Sequence, residues 1–117
     1  MRLPNSNHPI TIEPFRGRVR VMLNDALLAD TRKALVLQEA DYLPTYYIPR
    51  DDAKMDLLER TARSTHCPYK GDASYYSVRG NSQAQNAVWS YEEPYPAVAE
   101  IGSYLAFYPN KVKIEAK

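Results

Sequence analysis

The sequence predicts an α+β domain made mostly of antiparallel sheet, with one main α-helix near residues 51–63. Three observations lead there. Short stretches alternate apolar and polar residues, as in Val19, Val21 and Leu23 against Arg18 and Arg20. Nine prolines and pairs such as Asn24-Asp25 and Pro109-Asn110 cut the chain into short pieces. Only from Asp51 to Arg63 does the period lengthen, with Met55, Leu58 and Ala62 three and four residues apart.

Taken in order, residues 1–14 carry Pro4, Pro9 and Pro14 without a periodic pattern. They are expected to form an extended N-terminal arm of a single domain spanning residues 1–117. Residues 18–23 and 26–30 then make a hairpin, because Asn24 and Asp25 tolerate the positive φ of a two-residue turn. Residues 34–39 and 45–48 read as strands, the second kept short or at an edge by Pro44 and Pro49. In the helix, Asp51 or Asp52 would cap the first turn. Asp56 with Arg60, and Glu59 with Arg63, would pair four residues apart. Residues 64–72 read as a loop broken by Pro68 and Gly71. A strand follows at 73–79, then a turn at Gly80-Asn81-Ser82, then a strand on which Ala87, Trp89 and Tyr91 alternate. Residues 104–108 and 111–115 would close a hairpin around Pro109-Asn110.

Composition narrows the function classes. The chain has 15 basic and 14 acidic residues, interleaved along most of its length. A nucleic-acid partner would favour a basic excess gathered on one face, so none is expected. No apolar run approaches the roughly 20 residues of a membrane span, and residues 1–10 hold no secretory apolar stretch. With a single cysteine, Cys67, a cytoplasmic location is the expectation. That cysteine count leaves no internal disulfide and no multi-cysteine zinc site. The two histidines lie far apart in sequence, and the four glycines form no phosphate loop. Neither a metal nor a cofactor is expected. Short edge strands and the proline-rich arm would permit a homodimer.

Chemistry concentrates in two stretches. Ser64-Thr65-His66-Cys67-Pro68-Tyr69-Lys70-Gly71 gathers a thiol, an imidazole, an amine and a phenol. A cation from His66 or Lys70 would lower the thiol pKa and make Cys67 nucleophilic; equally, a lone cysteine often just packs. Lys70 suits either an anion or a buried carboxylate such as Glu39 or Asp30. The second stretch, Tyr46-Tyr47-Ile48-Pro49-Arg50-Asp51-Asp52, delivers Arg50 to a helix start. Its guanidinium could take an anion bidentately, or pair with an acid while the aspartates cap. Ten tyrosines stand against two phenylalanines. Half-exposed strands favour tyrosine, and so would a cleft lined with hydroxyls.

These motifs resemble the bacterial family called domain of unknown function 427. The likeness rests on the Thr65–Gly71 stretch followed by Ala73-Ser74-Tyr75-Tyr76, on Tyr47-Ile48-Pro49-Arg50-Asp51-Asp52, and on Ala29-Asp30-Thr31. Trp89-Ser90-Tyr91-Glu92-Glu93-Pro94 and Ala106-Phe107-Tyr108 complete it, in order. The resemblance implies several coiled antiparallel sheets, similar to the β-tent of methionine-R-sulfoxide reductases and of a Rab-binding zinc protein. Those relatives often hold zinc between two cysteine pairs, which this chain lacks. A nucleotidyltransferase label sometimes attached to the family implies magnesium-dependent chemistry. The sequence has neither the Gly-Ser nor the alternating aspartates of that pattern.

Three functions remain. The first is binding of a small anionic molecule at the 65–71 loop. Arg50, Lys70, Tyr47, Tyr69 and Tyr75 would line that site, and Cys67, His66 or Lys70 would do any chemistry. The second is a non-catalytic interaction module in which Arg50 and Lys70 pair with Asp30 and Glu39. The third is the transferase. Whether the chain is an enzyme stays open.

Overall fold

The computed structural model describes residues 1–117. The strands of its first half are β1 (Ile10–Pro14), β2 (Val19–Leu23), β3 (Ala26–Thr31), β4 (Leu35–Glu39) and β5 (Thr45–Tyr47). Those of the second half are β6 (Leu58–Cys67), β7 (Gly71–Val78), β8 (Val88–Ser90), β9 (Ala106–Phe107) and β10 (Lys113–Ala116). They build three small sheets, ordered β1-β4-β5, β10-β2-β3 and β6-β7-β8-β9. Every pairing is antiparallel. No helix is long and apolar enough to cross a membrane.

The β2–β3 hairpin turns at Asn24-Asp25, with Asn24 at φ 52°, as its sequence dictates. Strand β5 is three residues long and lies at a sheet edge, as its flanking prolines require.

The main α-helix does not form. Residues 50–57 make two single 3₁₀ turns, Arg50–Asp52 and Met55–Leu57, and the chain then runs extended as β6. The apolar stripe of Met55, Leu58 and Ala62 is too narrow to hold a helix against a core. By contrast, β6 gains a ladder along β7 from Leu58↔Val78 to Cys67↔Gly71. The expected helical ion pairs are replaced by pairs from β6 to the segments that follow β7 and β8. Glu59 meets Arg79 at 3.3 Å, and Arg60 meets Glu92 at 3.1 Å. Neither aspartate caps: Asp52 instead accepts a hydrogen bond from the Thr31 hydroxyl at 2.7 Å.

Two further expectations are corrected. Residues 64–72 are not a free loop but the end of β6, a tight turn and the start of β7. Gly71, at φ +110°, takes the backbone shape that turn needs. The closing hairpin is also absent. Strand β9 joins β8, whereas β10 crosses to another sheet and pairs with β2. Of the N-terminal arm, residues 10–14 are extended but sheet-bound, as β1 on β4.

The core has two halves. One gathers Val19, Val21, Leu28, Ile48, Val88 and Leu105. The other gathers Leu37, Tyr47, Tyr75, Tyr91, Val98 and Ile101. Strand β7 feeds both: Ala73 and Tyr75 enter the second half, Tyr76 and Val78 the first. This split decides which side chains can meet.

Candidate functional site

On the second core half lies a cavity of about 190 Å³. Tyr47, Tyr75, Tyr91 and Tyr108 line it, with Trp89 beside them. Cross-strand register places Tyr75 opposite Trp89, so both project from the same face of the β7–β8 ladder. Glu39, at the end of β4, and Lys70, in the turn before β7, supply the charges. Leu37 and Thr45 complete the wall, and Tyr42 and Leu43 overhang the opening from the β4–β5 loop.

Lys70 is only 8% exposed. Its ammonium donates to Glu39 Oε1, and Nζ lies 6.0 Å from the Tyr91 ring centroid. Burying an ammonium is costly unless it is paired, and Glu39 with the aromatic face supplies that pairing. Glu39 takes a second contact at Oε2, from His8 Nε2 at 2.7 Å. His8 in turn stacks on Tyr69, with ring centroids 4.1 Å apart. Burial would raise the Glu39 carboxyl, but its hydrogen bonds with Lys70 and His8 outweigh that and hold it below the usual range. A depressed carboxyl stabilises the fold fully above its unfolded value, about 4.3. That gain is lost as pH falls through the lower folded value. Glu39→Gln therefore melts below the parent at neutral pH, and the gap closes as acid protonates Glu39. A gap that held constant into strong acid would contradict this account.

Opposite Lys70, the Tyr75 hydroxyl lies 2.9 Å from Thr65 Oγ1, and the Arg63 guanidinium sits 5.0 Å from the Tyr75 ring centroid. Burial would raise the Tyr75 phenol. The contacts with Thr65, Tyr108 and Arg63 outweigh it and hold it below the usual range. Tyr108 moves the other way, pushed up to about 12 by burial and by its neighbour Tyr75. Burial also raises Tyr47 and Tyr91 strongly. An alkaline titration of phenolate absorbance should therefore show an early step that Tyr75→Phe removes. Persistence of that step in the variant would disprove the assignment.

Of the residues singled out in the sequence, Lys70, Tyr47 and Tyr75 meet in this cavity. Arg50 lies on the other side of β7. Its Nη1 donates to Tyr76 Oη at 2.9 Å, Nη2 to Ser90 Oγ at 3.2 Å, and Nε to the Ser103 carbonyl at 3.1 Å. Alternation along β7 separates Tyr76 from Tyr75, and Arg50 follows Tyr76. His66 is 55% exposed and pairs across the β6–β7 ladder with Asp72, Nδ1 to Oδ1 at 2.8 Å. Cys67 is half-buried without a disulfide partner and packs against the second core half. Tyr69 reaches the charges only through His8.

A family model described as a domain of unknown function (DUF427) matches residues 11–117, nearly the whole chain. The chain belongs to the DUF427 family. No curated protein matches it. In this DUF427 chain, sequence reasoning missed His8, Trp89, Tyr91 and Tyr108 as site components. The count of ten tyrosines was the available signal for Tyr91 and Tyr108. Which tyrosines share a cavity depends on pairing across strands, which no local pattern carries. The chain has no cluster of three or more His, Cys, Asp or Glu side chains placed to hold a metal.

Proposed function

We propose that the chain binds a small anionic molecule in the tyrosine-lined cavity, with an anionic oxygen on Lys70. One observation carries this reading. Lys70 has three ammonium hydrogens but one protein acceptor, Glu39, although it is buried and lines the cavity. The ammonium is paired with Glu39, and a ligand oxygen in the cavity would accept a second hydrogen bond from it. The phenols of Tyr75 and Tyr108 add hydroxyl donors at the same opening, and their rings with Trp89 supply apolar contact. His66 and Cys67 end the strand that leads into the turn carrying Lys70.

The test is an amide-shift titration of the labelled protein with sodium butyrate, inorganic phosphate and a nucleoside monophosphate, the last with and without magnesium. Butyrate or phosphate should move resonances around Lys70, Tyr75 and Tyr108. Tyr75→Phe with Tyr108→Phe should weaken that binding by roughly tenfold, the worth of one hydrogen bond to a charged group. No shift at Lys70 with either anion would refute the reading. A magnesium-dependent nucleotide response elsewhere would replace it with the transferase.

The interaction-module reading draws on a separate observation: each nitrogen of the Arg50 guanidinium donates inside the protein, to Ser103, Tyr76 and Ser90, and Nη2 lies 3.7 Å from Glu92, while Asp30 pairs instead with Arg18.

A further inference from the structure

The outward face of the β10-β2-β3 sheet gathers cations from opposite ends of the sequence. Val19 and Val21 of β2 enter the first core half, and Ile114 and Ala116 of β10 pack against it. Alternation therefore turns Arg18 and Arg20 outward, together with Lys113, Glu115 and Lys117. Register sets Arg20 between Glu115 of β10 and Asp30 of β3. One step along, Arg18 and Lys117 exchange backbone hydrogen bonds at 2.9 and 3.0 Å, so two cations stand directly opposite each other. Like charges so placed repel, and an anion between them would relieve the repulsion.

Asp30 compensates one of these cations. It accepts from Arg18 Nε at 2.7 Å and also from Nη2. Arg20 has no such partner. Its Nε is shielded from water and meets no protein acceptor, in contrast to Arg50, whose three nitrogens all donate. A hollow of about 200 Å³ on this face is lined by Arg18, Arg20, Glu115 and Lys117. None of the four lines the Lys70 cavity, so the two places are chemically separate.

We propose that this hollow is a second anion site and takes inorganic phosphate. Arg20 and Lys117 donate to the ionised oxygens, and Arg18 adds positive potential while keeping Asp30. The hollow is smaller than the roughly 300–1,000 Å³ of sites for drug-sized molecules, so the ion enters without a large organic group. Glu115 sets the choice of ion. A carboxylate beside the cations repels a fully ionised oxyanion but accepts a hydrogen bond from one that keeps a proton. Inorganic phosphate keeps at least one P–OH at neutral pH, whereas sulfate keeps none. A phosphomonoester, with a second pKa of about 6, is mostly without one.

The experiment titrates the full chain with sodium phosphate, sodium sulfate and methyl phosphate at neutral pH and constant ionic strength, reading amide shifts. Phosphate should move Arg20, Glu115 and Lys117. It should bind at least about tenfold more tightly than sulfate or methyl phosphate, the worth of one hydrogen bond to a charged group. Arg20→Gln breaks no hydrogen bond within the protein and so spares the fold; it should weaken phosphate by at least about tenfold. Lys117→Gln, at an exposed side chain, should weaken it in the same direction. Lys113→Gln removes the same charge from the same face but outside the hollow, and should leave affinity within about twofold. Glu115→Gln should admit sulfate to within about threefold of phosphate. Equal affinity for phosphate and sulfate in the parent overturns the assignment, as does sulfate still excluded from Glu115→Gln. A loss in Lys113→Gln as large as in Arg20→Gln also overturns it, because diffuse surface charge would then hold the ion. Phosphate shifts confined to Lys70 overturn this site and leave the cavity reading standing; shifts at Arg20 with none at Lys70 from butyrate or phosphate do the reverse.

Discussion

Lys70→Met is expected to lower the melting temperature by roughly 10–15 °C. The substitution keeps the stem of the side chain and removes the ammonium from beside Glu39. Glu39 then stays in a mostly buried position with only His8 against it. Removing one partner of a buried pair costs on the order of 3–5 kcal/mol, because the remaining charge loses its compensation. The lower end applies here, since His8 still holds the other carboxylate oxygen. A loss of about 3 kcal/mol corresponds to that melting shift for a domain of this size. The double variant Lys70→Met with Glu39→Gln should recover most of the loss, because the stranded charge disappears with its partner. Thermal melts of the two single variants and the double variant form a cycle. A double variant as unstable as the sum of the singles would show that the pair is not coupled, and the electrostatic account would fall.

Arg50→Met is expected to cost about 2–4 kcal/mol, the worth of several charged hydrogen bonds less the solvent exposure of the head. The guanidinium ties together the Tyr76 hydroxyl of β7, the Ser90 hydroxyl of β8 and the carbonyl of Ser103, which itself sits at φ 63°. Ser90 is fully buried, so its hydroxyl would be left without this donor. Arg50→Lys should recover little. An ammonium is a point donor and cannot span three acceptors arranged around a planar fork. Tyr76→Phe removes one arm of the fork and should cost about 1 kcal/mol. Chemical denaturation of these three variants checks the order. If Arg50→Lys were as stable as the parent, the planar-fork explanation would be wrong. A loss of binding at Lys70 in Arg50→Met, with the fold intact, would bring Arg50 back as a ligand residue.

The conservative pieces of the fold were legible for local reasons. Asn24-Asp25 reads as a tight turn because its residues tolerate positive φ, and the hairpin between β2 and β3 uses it. Pro44 and Pro49 limit β5 because proline lacks a ladder donor. The segment at 51–63 misled because three apolar residues at helical spacing are too few to hold a helix once the next strand offers a ladder. Its outcome was settled by pairing with β7, which the tight turn at 68–70 brings alongside. The C-terminus differs for a longer-range reason: Val112 and Ile114 alternate as a strand should, but the pairing of β10 with β2 near the other end of the chain is a property of the whole fold.

By itself the sequence determined a mostly β chain, its family, its turns, and Lys70 with Tyr47 and Tyr75 as residues of chemical interest. It also identified Glu39 as one of two carboxylates suited to Lys70, and that contact is formed. Only the tertiary structure decided which of two faces each residue occupies. Tyr75 and Tyr76 are neighbours in sequence, yet one lines the cavity with Lys70 and the other anchors Arg50 behind it. His8 and Tyr108, distant in sequence from the Lys70 turn, reach the same region because β1 lies on β4 and β9 lies on β8. A strand's own period sets which residues share a face, but only its partners decide what that face meets.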